Sequence, residues 1–263
     1  MKFQVLLFAA FVFYVWAFAQ NFFPEISRLR RAGLAGAGFL LHTLALVLFC
    51  ADVSALPTSS PHWLVELIAW ILAGMSLCGY LFGVDWLGNF PLAAAALLTV
   101  SPACCPAFLA KSAGLARAEG RSAVVFVHAV AAACSYALMF LSASISAAYL
   151  LKRRALKNRR QSGTYSFGIS LGRLNRALKI LSVAAAGAMA VSLGFGCWAA
   201  FGGAGVAAAK MSAGVAVFAI QCAIAFAIVS RNVKDAPLAK LCLLLFVAAL
   251  AAFVSIETGV YYG

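Results

Sequence analysis

The chain has 263 residues, of which 65% are hydrophobic and 10% charged, and it carries a net charge of +13. Globular chains run about 45–50% apolar and about 25% charged, so a mean hydropathy of +1.00 excludes a soluble enzyme, a secreted disulfide scaffold and a disordered chain. The positive charge reads as cytoplasmic loops facing anionic lipid rather than as a nucleic-acid surface.

A bilayer core about 30 Å thick needs about 20 apolar residues per crossing helix. Apolar runs between polar breaks predict eight spans. They are Phe3–Ala19, Ala32–Ala51, Trp63–Phe82, Phe90–Ala110, Ser122–Leu151, Ile180–Phe201, Met211–Ser230 and Leu241–Tyr261. The alternating pattern of a membrane strand is absent, so the expected fold is all-α: a polytopic bundle of about eight transmembrane helices forming one integral membrane domain over 1–263.

Basic residues set the expected orientation. With the loop holding Arg28, Arg30 and Arg31 inside, the stretch from Lys152 to Lys179 and the loop with Arg231, Lys234 and Lys240 also lie inside. Fifteen basic residues then face the cytoplasm. Five face outward: Lys2, Lys111, Arg117, Arg121 and Lys210. The positive-inside rule favours this arrangement, which leaves both termini outside. Ala17-Phe18-Ala19 resembles a signal-peptidase site. Cleavage there would flip every later loop and export the basic stretch 152–179, so Phe3–Ala19 is expected to stay as the first helix.

Several smaller features punctuate the spans. Eight cysteines lie mostly within them, with no CxxC or CxxCH; Cys104-Cys105 reads as small core residues, with a vicinal redox pair as the alternative. Pro91, Pro102 and Pro106 are expected to kink or interrupt one span. Gly33, Gly36 and Gly38, and Ser142 with Ser146, offer small faces for close helix packing. Leu171, Leu174 and Leu178 recur at helical spacing, with Arg173, Arg176 and Lys179 opposite. This stretch is expected to lie on the cytoplasmic headgroups as an interfacial helix.

Ionisable groups inside spans are costly and mark functional positions by default. His62 enters the third span from outside and Glu66 follows at i+4. His128 lies about 10 Å below the outer boundary by helical rise, and His42 about 15 Å deep. Glu257 stands in the outer third of the last span, and Lys210 opens the seventh. His62, Glu66 and Glu257 are expected to share one outer pocket or its rim. Histidines in apolar surroundings suit haem iron, with carboxylates and basic residues orienting the rings or meeting propionates. The same set also suits a proton path, or plain packing.

The segment Val127-His128-Ala-Val-Ala-Ala-Ala-Cys-Ser135-Tyr136-Ala137-Leu138, followed by Ser142–Tyr149 and Lys152, resembles the cytochrome c assembly protein family. That family includes the system II haem-handling protein and shorter HemX/YpjD-like relatives. Its members carry a histidine at the outer start of a span, a Gly/Ser-Tyr-Ala about eight residues on, and a basic stretch after the span. Leu171-Gly-Arg-Leu174-Asn-Arg176 resembles the family's short Leu-rich run. Ser192-Leu-Gly194-Phe-Gly196-Cys-Trp198-Ala199 resembles its Thr-x-Gly-x-x-x-Gly-x-x-Trp-Ala motif with altered glycine spacing. Lys210 falls near the lysine of its Trp-Asp-Pro-Lys element. These pieces cover about residues 121–263; the first half resembles the short relatives only in span count and lengths.

The resemblance implies an inner-membrane protein of cytochrome c biogenesis that handles or binds haem at the outer face, without bond-making chemistry of its own. His128, His42, His62, Trp198, Glu66 and Lys210 are then the expected cofactor-binding residues, with His128 and His42 on the iron. The departures are also plain. The tryptophan-rich outer loop is replaced by the Gly/Ala stretch 202–210, and the second outer histidine near the last span has no counterpart. A HemX-like regulator or assembly partner without a cofactor is the alternative, its basic stretch 152–179 docking a cytochrome c assembly partner. Membrane lipid is the other expected contact. No nucleophile–base pair, phosphate loop or metal triad points to an enzyme, and no internal repeat points to a transporter.

Overall fold

The structure, a computed structural model, describes residues 2–23, 25–53, 61–104, 123–158, 169–201, 208–230 and 233–262. Its main elements are helices α1 (Lys2–Ala19), α2 (Arg28–Val53), α3 (Pro61–Leu81), α4 (Asp85–Cys104), α5 (Ala123–Lys157), α6 (Leu171–Phe201), α7 (Ala208–Val229) and α8 (Asp235–Tyr262). A 3-10 turn, Gln20–Phe22, follows α1. No strand occurs among the described residues. Seven of the helices are long and apolar enough to cross a membrane; α4 contributes a shorter apolar stretch, Leu87–Val100. The architecture is that of a multi-pass helical membrane protein.

Each expected span finds a helix, and the differences lie at the ends. The fourth begins five residues early, at Asp85, and its far end at Ala110 lies outside the described residues. It remains helical through Pro91 and Pro102. The fifth runs on to Lys157, giving 35 residues or about 52 Å, well beyond a 30 Å core.

The interfacial helix expected over 171–179 is not a separate element. It is the first part of α6, which runs unbroken for 31 residues. Leu174 and Leu178 are buried in protein, 1% and 0% exposed. The apolar stripe therefore meets neighbouring helices, not headgroups. Its period is the same for either partner, and only packing tells them apart. Lys179 pairs with Asp235 at the start of α8 (Nζ–Oδ1 3.1 Å).

The chain divides into two compact units, 1–133 and 134–263, with the division inside α5. In the first, α1 packs on α2 and α4, and α3 packs on α2 and α4, which closes a four-helix ring. In the second, α6, α7 and α8 pack on one another, and Ser135 of α5 donates a hydrogen bond to α6 and accepts one from α7. Both units carry apolar side chains outward: Phe8, Leu40 and Val47 in the first, Phe226, Leu244 and Val247 in the second. Polar side chains turn inward: His42, Glu66 and Ser76 in the first, Ser135, Ser146 and Gln221 in the second. Hydrocarbon as solvent favours this arrangement, because an apolar exterior costs nothing there and an unpartnered polar group costs several kcal/mol.

Close approaches fix the first unit. A β-carbon on Gly79 would stand 2.5 Å from the Gly88 backbone nitrogen, so α3 and α4 meet backbone to backbone. Gly83 has φ +78° in the turn between them, a conformation that glycine adopts without strain. Of the three glycines expected to make small faces on α2, Gly38 lies under the Tyr14 ring and Gly36 makes ordinary contact with Leu77. Gly33 has nothing within 4 Å.

Candidate functional site

Three polar side chains from three helices meet inside the first unit: Tyr14 of α1, His42 of α2 and Glu66 of α3. All are 0% exposed. His42 Nε2 stands 3.0 Å from Glu66 Oε2. The contact is at ion-pair distance but is not an aligned hydrogen bond, and Glu66 Oε1 has no partner. On the other side of the ring, the Tyr14 hydroxyl lies 3.3 Å from His42 Nδ1. Both ring nitrogens of His42 therefore face protein groups.

The helices explain this meeting. Gly38 and His42 are one turn apart on α2 and share a face. Without a side chain at Gly38, Tyr14 lies flat against α2 and its hydroxyl reaches the next turn. Glu66 is one turn past Trp63, which stacks on Phe49 with ring centroids 3.6 Å apart; Phe3 caps both rings edge-on. On the same helix Trp70 donates from Nε1 to Thr43 Oγ1 at 2.8 Å and stacks on Phe39. These contacts hold α3 against α2 on both sides of Glu66. In so apolar a setting an isolated charge is costly. A pair of zero net charge, one proton shared between imidazole and carboxyl, is the arrangement that surroundings of low polarity tolerate best.

The other sequence-derived residues are placed separately. His128 lies on α5 about 8 Å along the helix from Ala123 by helical rise, and it is half-buried. Trp198 is on α6, 66% exposed, stacked on Phe195 at 6.3 Å. The side chains of His62, Lys210 and Glu257 lie outside the described residues, and so does the Cys104-Cys105 pair. Glu66, expected beside His62 and Glu257, has His42 as its observed partner. Among the described residues Cys50, Cys78, Cys134, Cys197, Cys222 and Cys242 are free thiols, and no three His, Cys, Asp or Glu side chains gather as a metal site.

Sequence reasoning marked His42 and Glu66 but missed Tyr14, and it did not pair the other two. The available signal was that His42 and Glu66 are oppositely ionisable residues within the apolar runs of adjacent spans. Tyr14 gave none, since an aromatic in an apolar run reads as packing.

No family model matches this chain, and no curated protein or solved structure matches it.

Proposed function

We propose that this chain is an inner-membrane protein of cytochrome c biogenesis that handles haem at the outer face, with both termini outside. The observation that carries the reading is the form of α5. His128 near its start, Ser135-Tyr136-Ala137 eight residues on, and Arg153, Arg154 and Lys157 at its far end all lie on one unbroken helix. That order is the pattern on which the resemblance to the assembly family rests, here on a single helix long enough to span the bilayer.

The two expected iron ligands differ in their fit. His128 is half-buried within two turns of the start of α5. His42 is closed in: fully buried, with Glu66 and Tyr14 against its two nitrogens. A carboxylate behind a histidine is the usual support for a metal-bound imidazole, but Tyr14 occupies the side that iron would need. His128 is therefore the residue proposed to hold haem, and His42 the centre of a packing network. Bound haem would supply a redox-active iron whose potential depends on its axial ligands.

The closure of His42 also favours the second reading, a HemX-like membrane regulator or assembly partner that holds no cofactor. The absorption spectrum of the protein purified from membranes separates the two. The haem-handling reading expects a Soret band that co-purifies with the chain. A preparation from haem-replete cells without one overturns that reading in favour of the regulator.

A further inference from the structure

The second unit contains a polar centre that the haem reading does not use. Ser135 Oγ of α5 donates to the Ala185 carbonyl of α6 at 2.9 Å. Gln221 Nε2 of α7 donates to Ser135 Oγ at 3.3 Å. Beside this chain lies a cavity lined by Met139 and Ser142 of α5, Ser182 of α6, Gln221 of α7 and Cys242 of α8. Two of its wall residues carry polar atoms with no hydrogen-bond partner: Ser142 Oγ and Gln221 Oε1. Both side chains are almost fully buried, 3% and 2% exposed.

Ser142 is informative because its neighbours behave differently. A helical serine can satisfy itself by donating to the carbonyl four residues back. Ser144 does so to Phe140 at 3.0 Å and Ser146 does so to Ser142 at 2.8 Å. Ser142, one turn before Ser146 on the same helix, leaves its hydroxyl at the cavity. Gln221 spends its amide N–H on Ser135 and leaves its carbonyl oxygen at the same cavity. One wall group can donate or accept, and the other only accepts. In hydrocarbon, each unmet group is costly, because no solvent is there to satisfy it.

The size of the space selects the ligand. The volume open to the centre of a water-sized sphere is ≈ 10 Å³, room for about one water. No carboxylate lines it, so a bare cation has no counter-charge there. We propose that this cavity is a binding site for a single ordered water, which donates to Gln221 Oε1 and shares a hydrogen bond with Ser142 Oγ. The water completes a path from Ala185 through Ser135 and Gln221 to Ser142, tying α5, α6 and α7 together at one level. The Ser182–Cys242 contact (Oγ–Sγ 3.4 Å) adds α6 and α8 to the same wall.

The test is magnetisation transfer from water to the Gln221 side-chain amide, in the full chain labelled with ¹⁵N-glutamine in lipid nanodiscs. The wild type is expected to show a water cross-peak of the sign that marks a long-lived bound water. Ser142→Val, whose added bulk fills the cavity, is expected to lose it while Ser135, the other route for relayed transfer, stays in place. No cross-peak in the wild type overturns the proposal, as does a cross-peak that survives unchanged in Ser142→Val. If Ser142→Val does not insert, Ser142→Ala serves instead, and a clearly weakened cross-peak is the expected result.

Discussion

Tyr14 lies so close over Gly38 that a β-carbon at that glycine would stand 2.7 Å from the tyrosine ring. The contact sets both the spacing of α1 against α2 and the reach of the Tyr14 hydroxyl toward His42. Gly38→Ala should therefore destabilise the protein by about 1–3 kcal/mol, the usual cost of forcing bulk into a packed site. Gly33→Ala, where nothing lies within 4 Å, should be neutral or stabilising by about 0.5–1 kcal/mol through helix propensity. Thermal unfolding in detergent compares the two. Equal melting points for the two variants would count against the close approach.

The His42–Glu66 pair should behave as a unit. Removing one member leaves an uncompensated polar group in an apolar core, so His42→Leu or Glu66→Leu alone should cost about 3–5 kcal/mol. The double variant should cost clearly less than the sum of the singles, because its members are in contact. Strict additivity in this cycle would show that the two side chains do not meet.

Tyr14→Phe removes only one long hydrogen bond, 3.3 Å to a ring nitrogen. It should cost about 0.5–1.5 kcal/mol, less than Gly38→Ala, because the ring still fills its place. A larger loss in Tyr14→Phe than in Gly38→Ala would assign the stability to the hydroxyl instead of to the packing.

The proposed orientation places the stretch 152–179 in the cytoplasm. A reporter active only inside the cell, fused after Arg160, should be active. Activity of an export-dependent reporter at the same point would reverse the topology and with it the outer placement of His128.

Much of this fold was legible because a bilayer admits few solutions. About 20 apolar residues per crossing and fully paired backbones leave a helical bundle, and every expected span corresponds to a helix. The ends were less legible. The Leu174 and Leu178 stripe looked like a lipid-facing surface because lipid and protein interiors select the same side chains. The polar centres were legible only in part. His42 and Glu66 stand about 16 Å and about 8 Å from their helix ends by rise, so depth alone placed them at different levels, whereas α2 and α3 pack so that they touch. Ser142 and Ser146 read as small packing residues, and Gln221, uncharged in an apolar run, drew no notice. What pairs with what across helices depends on rotation and tilt, which the periodicity of a single helix does not contain.

The central claim is that His128 on α5 holds haem. Its most direct test is the ratio of haem to protein in purified His128→Ala, measured beside the wild type after checking that both insert and unfold cooperatively. The account predicts that the wild type carries haem and that His128→Ala loses most of it while remaining folded. An unchanged ratio in His128→Ala would contradict it.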